Sequence, residues 1–305
     1  MSGLAVSLGD IKLKNPVVTC SGTFGSGIEF NRFYDIAKLG AVTTKSYTLK
    51  EKKGNKPPRL CETYCGLINS IGLQNEGIDY FLKKDLEDVK ALQADIILSI
   101  SGTDRAEFIA IAEKLIDYRQ HFIAVELNFS CPNIKKGGMI LGSSASDVES
   151  ITSSLSGILS IPLIVKLSPI IDDLSAIAQR AKRGGAQAVS LINTMPAMAI
   201  DTDTFAPKLG NIMGGLSGPG LKPIAVAKTY KLCKQKILPV IGMGGIYSPL
   251  DAIEFMIAGA SAVGIGTANF IDVNAAFKVL EGISAYLKEK NIENINQIIG
   301  SVRLG

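Results

Sequence analysis

The sequence predicts an α/β fold, a closed (β/α)8 barrel, from three observations: its length, the number of short β-rich runs, and the polar residues that follow those runs. With 305 residues, 47% of them hydrophobic, the chain can bury a core that suits one barrel of about 250 residues plus insertions. Two domains fit this length as well, and a single domain over 1–305 is expected from the run of units that follows. Eight apolar, β-rich runs occur in order, at residues 16–20, 41–45, 95–101, 122–129, 163–167, 188–193, 238–242 and 262–266. Each is followed by apolar residues at helical spacing, as at 107–119, 172–182 and 250–258. Repeated βα units build a parallel sheet, and eight of them in order favour a closed barrel over an open doubly wound sheet.

Before the first unit, residues 5–14 alternate around Gly9-Asp10 and predict an N-terminal hairpin that plugs the barrel floor. The first run leads to Ser21 and Gly22, the second to Lys45 and Ser46, and the third to Ser99. The fourth carries Asn128 and is followed by Cys131; Lys166 and Ser168 mark the end of the fifth, Asn193 and Thr194 that of the sixth. The seventh and eighth end in the glycine turns 242–245 and 264–267. Chemistry in this fold collects at the C-terminal ends of the strands, so these residues define the candidate site. Two strand-to-helix connections, 46–77 and 195–222, are long and rich in Gly, Pro, Asn and Lys. Long loops after strands 2 and 6 lie on that same face and predict walls or lids.

Composition narrows the function. Lys and Arg total 32 against 28 Asp and Glu, a formal charge of +4, which is too small and too evenly spread to suggest nucleic-acid or anionic-membrane binding. Neither a signal-like start nor a run of about 18 apolar residues is present, so a soluble cytoplasmic protein with a small-molecule substrate is expected. The 5 cysteines do not form a disulfide framework. The only histidine, His121, precedes a strand at the opposite end of the barrel and reads as structural. No metal site is expected, and a general base must be Cys, Lys, Asp, Glu or Tyr.

Glycines after strands 7 and 8 let a backbone approach a phosphate closely. Lys166 sits inside an apolar run and needs a partner, since a buried ammonium is costly. Glu126, of the same side-chain parity as Asn128, is a candidate counter-charge. A structural ion pair and a contact to an anionic cofactor are equally compatible with this spacing, with a Schiff-base amine behind them. Asn69, Asn75, Asn128, Asn133 and Asn193 together offer amides that match the alternating N–H and C=O edge of a uracil-like ring. Cys131 lies beyond its strand, before Pro132 and a Gly- and Lys-rich segment, 133–142, that reads as mobile and exposed. A thiol in such surroundings can carry enough thiolate to act as a base.

These segments resemble class 1 dihydroorotate dehydrogenases, most closely the NAD-linked (class 1B) catalytic subunit, over essentially the whole chain. The matching residues are Ser21-Gly22-Thr23-Phe24-Gly25, Thr44-Lys45-Ser46, Asn69-Ser70-Ile71-Gly72-Leu73-Gln74-Asn75 and Asn128-Phe129-Ser130-Cys131-Pro132-Asn133. They continue with Val165-Lys166-Leu167-Ser168-Pro169, Ile192-Asn193-Thr194, Gly214-Gly215-Leu216-Ser217-Gly218 and the two glycine turns. The resemblance implies FMN, its phosphate on Gly244, Gly245, Gly266 and Thr267 and its ring near Ser21, Gly22, Lys45, Ser46, Asn128, Lys166, Ile192 and Gly218. It implies a pyrimidine site of Lys45, Asn69, Ser70, Ile71, Gly72, Leu73, Asn128, Asn133, Asn193 and Thr194. Cys131, with Lys45 beside it in the catalytic set, would take the C5 proton of dihydroorotate, the C6 hydride would pass to the flavin, and Lys166 would offset the charge that develops. One departure is Ser99, where the family usually has a flavin-contacting asparagine.

The electron acceptor is not written in the chain. Cys61 and Cys65 cannot by themselves hold an iron-sulfur cluster, so NAD reduction implies a partner subunit with FAD and a 2Fe-2S cluster, assembled on a homodimer core as a heterotetramer. The alternatives are a fumarate-linked class 1A homodimer, another flavin pyrimidine oxidoreductase, which Asn133 disfavours, and a flavin-free Schiff-base lyase using Lys166.

Overall fold

A computed structural model describes residues 3–129, 135–136 and 139–304. Its centre is an eight-stranded parallel sheet. The strands are β1 (Val17–Thr19), β2 (Val42–Thr43), β3 (Ile96–Ile100), β4 (Ala124–Asn128), β5 (Leu163–Lys166), β6 (Ala188–Leu191), β7 (Val240–Met243) and β8 (Ala262–Ile265). Pairing runs from β2 through β3, β4, β5, β6, β7 and β8 to β1. The remaining seam is closed by a parallel bridge between Val18 and Ala41, by Gly40 N donating to Val17 O at 2.8 Å and by Thr43 N donating to Thr19 Oγ1 at 3.0 Å. The predicted barrel is thus present. Every strand residue is buried, as in Ile96–Ile100 and Ala124–Asn128, because side chains facing in fill the barrel and those facing out meet helices.

Helices follow the later strands with local start signals. Asp104 accepts from Glu107 N before helix Arg105–Leu115, and Asp173 accepts from Ser175 N and Ala176 N before Leu174–Arg183. Ser248 and Asp251 form a capping box before Pro249–Ile257. One expectation fails: no long helix follows β1, where only the 3-10 turns Phe30–Arg32 and Ile36–Lys38 occur. Gly22, Gly25 and Gly27 adopt φ of 86°, 55° and 91° there, values that a helix excludes.

The N-terminal strands Val6–Leu8 and Ile11–Leu13 pair antiparallel with Leu8 opposite Ile11. Their inward residues Val6, Leu8, Ile11 and Leu13 are buried. Asp10 N donates to Gln187 Oε1, just before β6, and Lys14 pairs with Asp95, just before β3. The hairpin therefore covers the N-terminal ends of the strands, as predicted, while His121 lies in the turn Arg119–His121 before β4, away from the opposite rim.

The two long connections are not plain loops. Leu60–Thr63 and Gly66–Asn69 come from the first, Met195–Met198 and Met213–Ser217 from the second. Together they form one four-stranded antiparallel sheet in which Asn69 pairs with Gly215.

Candidate active site

At the rim, β3, β4, β5 and β6 contribute a connected set of buried polar groups. Ser99 pairs with Glu126 across the β3–β4 ladder, and Lys166 lies opposite Asn128 on one side and Ser190 on the other. Glu126 is 2%, Lys166 4%, Ser99 0% and Ser190 0% exposed, so each polar group must find its partner within the protein. Ser99 Oγ donates to Glu126 Oε1 at 3.1 Å and Ser190 Oγ to Oε2 at 2.9 Å. Ser99 has spent its one proton, so across the 2.8 Å Ser46–Ser99 contact Ser46 donates; Asn128 Nδ2 in turn donates to Ser46 Oγ at 3.0 Å. A one-way chain thus runs from Asn128 through Ser46 and Ser99 to the carboxylate.

Lys166 Nζ donates to Ser21 Oγ at 2.9 Å and stands 3.7 Å from Glu126 Oε1. The ion pair expected from side-chain parity is present. Its length exceeds that of a hydrogen bond, so among the described residues the ammonium has donors left over for a ligand.

Across the rim the backbone dominates. Gly244 and Gly245 follow β7 with φ of 123° and 79°. A Cβ on Gly245 would stand 2.8 Å from both Gly218 O and Lys222 N, so three segments meet there in backbone contact. Ile192 N donates to Met243 O and its side chain is buried beside Gly244. After β8, Thr267 Oγ1 donates to Ser217 Oγ at 2.7 Å. Gly22, with φ of 86°, has nothing within 4 Å of where a Cβ would be.

The antiparallel sheet brings three of the predicted pyrimidine residues, Asn69, Asn193 and Thr194, together. Asn69 Nδ2 donates to Gly215 O, the Thr194 side chain stands against Gly215, and Asn193 Oδ1 accepts from Thr194 N. Ser70 Oγ accepts from Asn55 Nδ2 and Ile71 O from Asn55 N, while Gly72 and Leu73 turn with positive φ. Asn75 is drawn away: its amide is held by Thr48, Leu73 and Gly77, which is turn chemistry. Lys45 is half-buried, with Nζ 5.9 Å from the centre of the Tyr47 ring. Burial raises the Asp85 carboxyl above its ordinary range against the pull of the Lys45 ammonium.

Cys131 and Asn133 lie outside the described residues. Of the segment 133–142 read as mobile, 135–136 and 139–142 are described: Lys135–Lys136 pairs antiparallel with Met139–Ile140, which leads into the 3-10 turn Leu141–Ser143. The four described cysteines are free. Burial pushes the thiols of Cys20 and Cys233 up to about 12, so neither is a thiolate near neutral pH. Sequence reasoning missed Ser190, although a lone serine in the run Ala188-Val189-Ser190-Leu191 was a signal. It also missed Ser217, and Lys222, whose ammonium reaches Asp251 Oδ1 at 2.7 Å and Glu254 Oε2 at 2.8 Å.

A family model described as dihydroorotate dehydrogenase matches residues 3–287. A protein of Thermoanaerobacter sp. strain X514 is 48% identical over 302 residues, covering 99% of each chain. One of Caldicellulosiruptor bescii is 46% identical with the same coverage, and one of Bacteroides thetaiotaomicron is 43% identical over 100% of each. All three are named dihydroorotate dehydrogenase B (NAD(+)), catalytic subunit.

Proposed function

Because the chain belongs to the dihydroorotate dehydrogenase family, we propose that it oxidises (S)-dihydroorotate to orotate in pyrimidine biosynthesis, with FMN bound at the barrel rim as one domain over 1–305. The observation that carries the reading is Lys166, a buried ammonium at the C-terminal end of β5 that among the described residues donates to Ser21 Oγ and stands 3.7 Å from its counter-charge. The surrounding residues fit the cofactor: Gly244, Gly245, Gly266 and Thr267 suit its phosphate, while Ser21, Gly22, Lys45, Ser46, Asn128, Lys166, Ile192 and Gly218 suit its ring. When bound, FMN supplies a two-electron acceptor for a hydride.

The chain's own residues do the rest. Lys45, Asn69 to Leu73, Asn128, Asn133, Asn193 and Thr194 orient the pyrimidine by its amide edges and carboxylate, and the antiparallel sheet excludes water. Cys131 takes the C5 proton as the C6 hydride departs, and Lys166 offsets the negative charge that develops.

Absorbance of the purified chain, followed by anaerobic dihydroorotate, tests this reading: a yellow protein that bleaches supports it, and a colourless chain that takes up no added FMN overturns it, leaving a Schiff-base lyase on Lys166. Cys131→Ser should slow bleaching by about 10²- to 10⁴-fold and move the pH profile upward from the ordinary thiol range near ~8.5. Unchanged kinetics would remove Cys131 from the role.

The electrons then pass to NAD through a partner subunit carrying FAD and a 2Fe-2S cluster, in a cytoplasmic heterotetramer built on a homodimer. The relatives' designation as NAD(+) catalytic subunits supports this. So do Met198, Ile200, Phe205, Ile212 and Met213, which are 43%, 54%, 86%, 57% and 51% exposed around the antiparallel sheet, since apolar patches of this kind mark interfaces. Copurification of a second chain is expected; fumarate turnover without one would assign the chain to the class 1A arrangement.

A further inference from the structure

We infer that Glu126 is a positioning residue that sets the reduction potential of the cofactor through Lys166, an inference that rests on the FMN reading above. The carboxylate has no path to substrate, because Ser99 and Ser190 occupy its two oxygens and Lys166 stands between it and the rim. A buried carboxylate serving only as a structural counter-ion would be expected to close on its ammonium at about 2.7 to 2.9 Å. Here it is held at 3.7 Å by two serine hydroxyls, while the ammonium bonds Ser21 Oγ at 2.9 Å.

The geometry separates two jobs that an ordinary salt bridge merges. Glu126 compensates the charge of Lys166 across a short, buried gap, where charges act strongly. It does not consume the N–H groups, which remain for an electron-rich ring edge. A ring that gains negative charge on reduction feels the ammonium minus whatever the carboxylate cancels. Among the described residues, Cys20 is a further titratable group in electrostatic contact with the pair, and it is neutral because burial pushes its thiol up to about 12. The balance is therefore between Lys166 and Glu126. The chain Asn128–Ser46–Ser99 holds one carboxylate oxygen in place, and Ser190 holds the other.

Two substitutions push this balance in opposite directions. Glu126→Gln removes the negative charge at constant shape, and the serine hydroxyls can turn round to accept from the amide. Reduction then becomes easier, and at fixed potential the reduced-to-oxidised ratio should rise about tenfold, or ~30 mV for a two-electron couple. Ser190→Ala releases one oxygen to swing toward Lys166, so the potential should move the other way by a smaller amount.

The experiment is an anaerobic redox titration at pH 7 of the FMN-loaded wild type and both variants, with FMN affinity measured alongside. Opposite shifts support the inference, whereas a merely structural pair would change affinity or thermal stability and leave the potential alone. An unmoved or more negative potential in Glu126→Gln overturns it. Should that variant fail to hold FMN, Ser190→Ala decides: a negative shift supports the role and an unmoved potential refutes it. A wild-type chain that takes up no FMN overturns the functional reading itself, a result distinct from a yellow chain whose potential does not respond.

Discussion

The two sides of the barrel rim are built from different materials. At β7 and β8 the chain offers backbone: Gly244 and Gly245 at positive φ, with Gly218 O and Lys222 N close behind. At β3 to β6 it offers side chains: Ser99, Glu126, Lys166 and Ser190 in one buried network. A backbone surface fails when atoms are added, because it works by close approach. A side-chain network fails when atoms are removed, because each buried polar group loses a partner. The FMN proposed above would thus meet one wall that needs the absence of Cβ atoms and another that needs particular functional groups.

The contrast can be broken most sharply by subtraction at Lys166. Lys166→Met should lower the rate of flavin reduction by about 10²- to 10³-fold, the usual scale for losing one preorganised charge-stabilising donor, as measured by anaerobic stopped-flow on FMN-loaded protein. A loss below tenfold would mean that the side-chain wall does not act on the reacting charge. Addition at Gly245 comes next. Gly245→Ala puts a Cβ 2.8 Å from Gly218 O at a φ of 79°, a strain of about 1 to 3 kcal/mol, so FMN affinity should fall by about ten- to a hundredfold while the rate of saturated enzyme stays close to normal. Equal losses in affinity and rate would erase the distinction between the walls.

Ser99→Ala sharpens it further. Taking one donor from the Glu126 carboxylate should cost about 1 to 3 kcal/mol and lower Tm by several degrees, read by calorimetry. A stability loss no larger than that of a surface substitution would count against the network.

The smallest effect is a pH dependence between the walls, at Cys20. Its thiol rises from 9.0 to about 12 on folding, so below pH ~9 both states are neutral and the native state loses nothing. Above that the unfolded thiol ionises while the folded one does not, and stability falls as pH rises toward 12; Cys233 adds the same trend. Denaturant midpoints from pH 8 to 11 should decline, less steeply in Cys20→Ala.

Much of this was legible in the sequence. Runs such as Leu163-Ile164-Val165-Lys166-Leu167 announce their strands because buried parallel strands must be apolar on both faces. The Lys166–Glu126 pair follows from parity along two such strands. The antiparallel sheet was not legible: Leu60-Cys61-Glu62-Thr63 is half-exposed and weakly patterned, and it reads as loop until its neighbour finds a partner elsewhere in the chain. The missing helix after β1 was hidden by apolar residues that pack without helical hydrogen bonds, although its glycines were visible. Ser190 was lost in an apolar run, and the roles of Cys131 and Asn133 rest on the family motif, since both lie outside the described residues.

The sheet that joins the two insertions also orders the assembly of the molecule. Asn69 and Gly215, bonded across its middle, are 146 positions apart, and neither insertion contains enough strands to be stable alone. Loop-closure entropy must be overcome by the barrel before these strands meet. The wall around the proposed pyrimidine site is thus a late product of folding, and until it forms each insertion exposes unpaired strand edges, which makes these two segments the natural points of attack for proteases and aggregation.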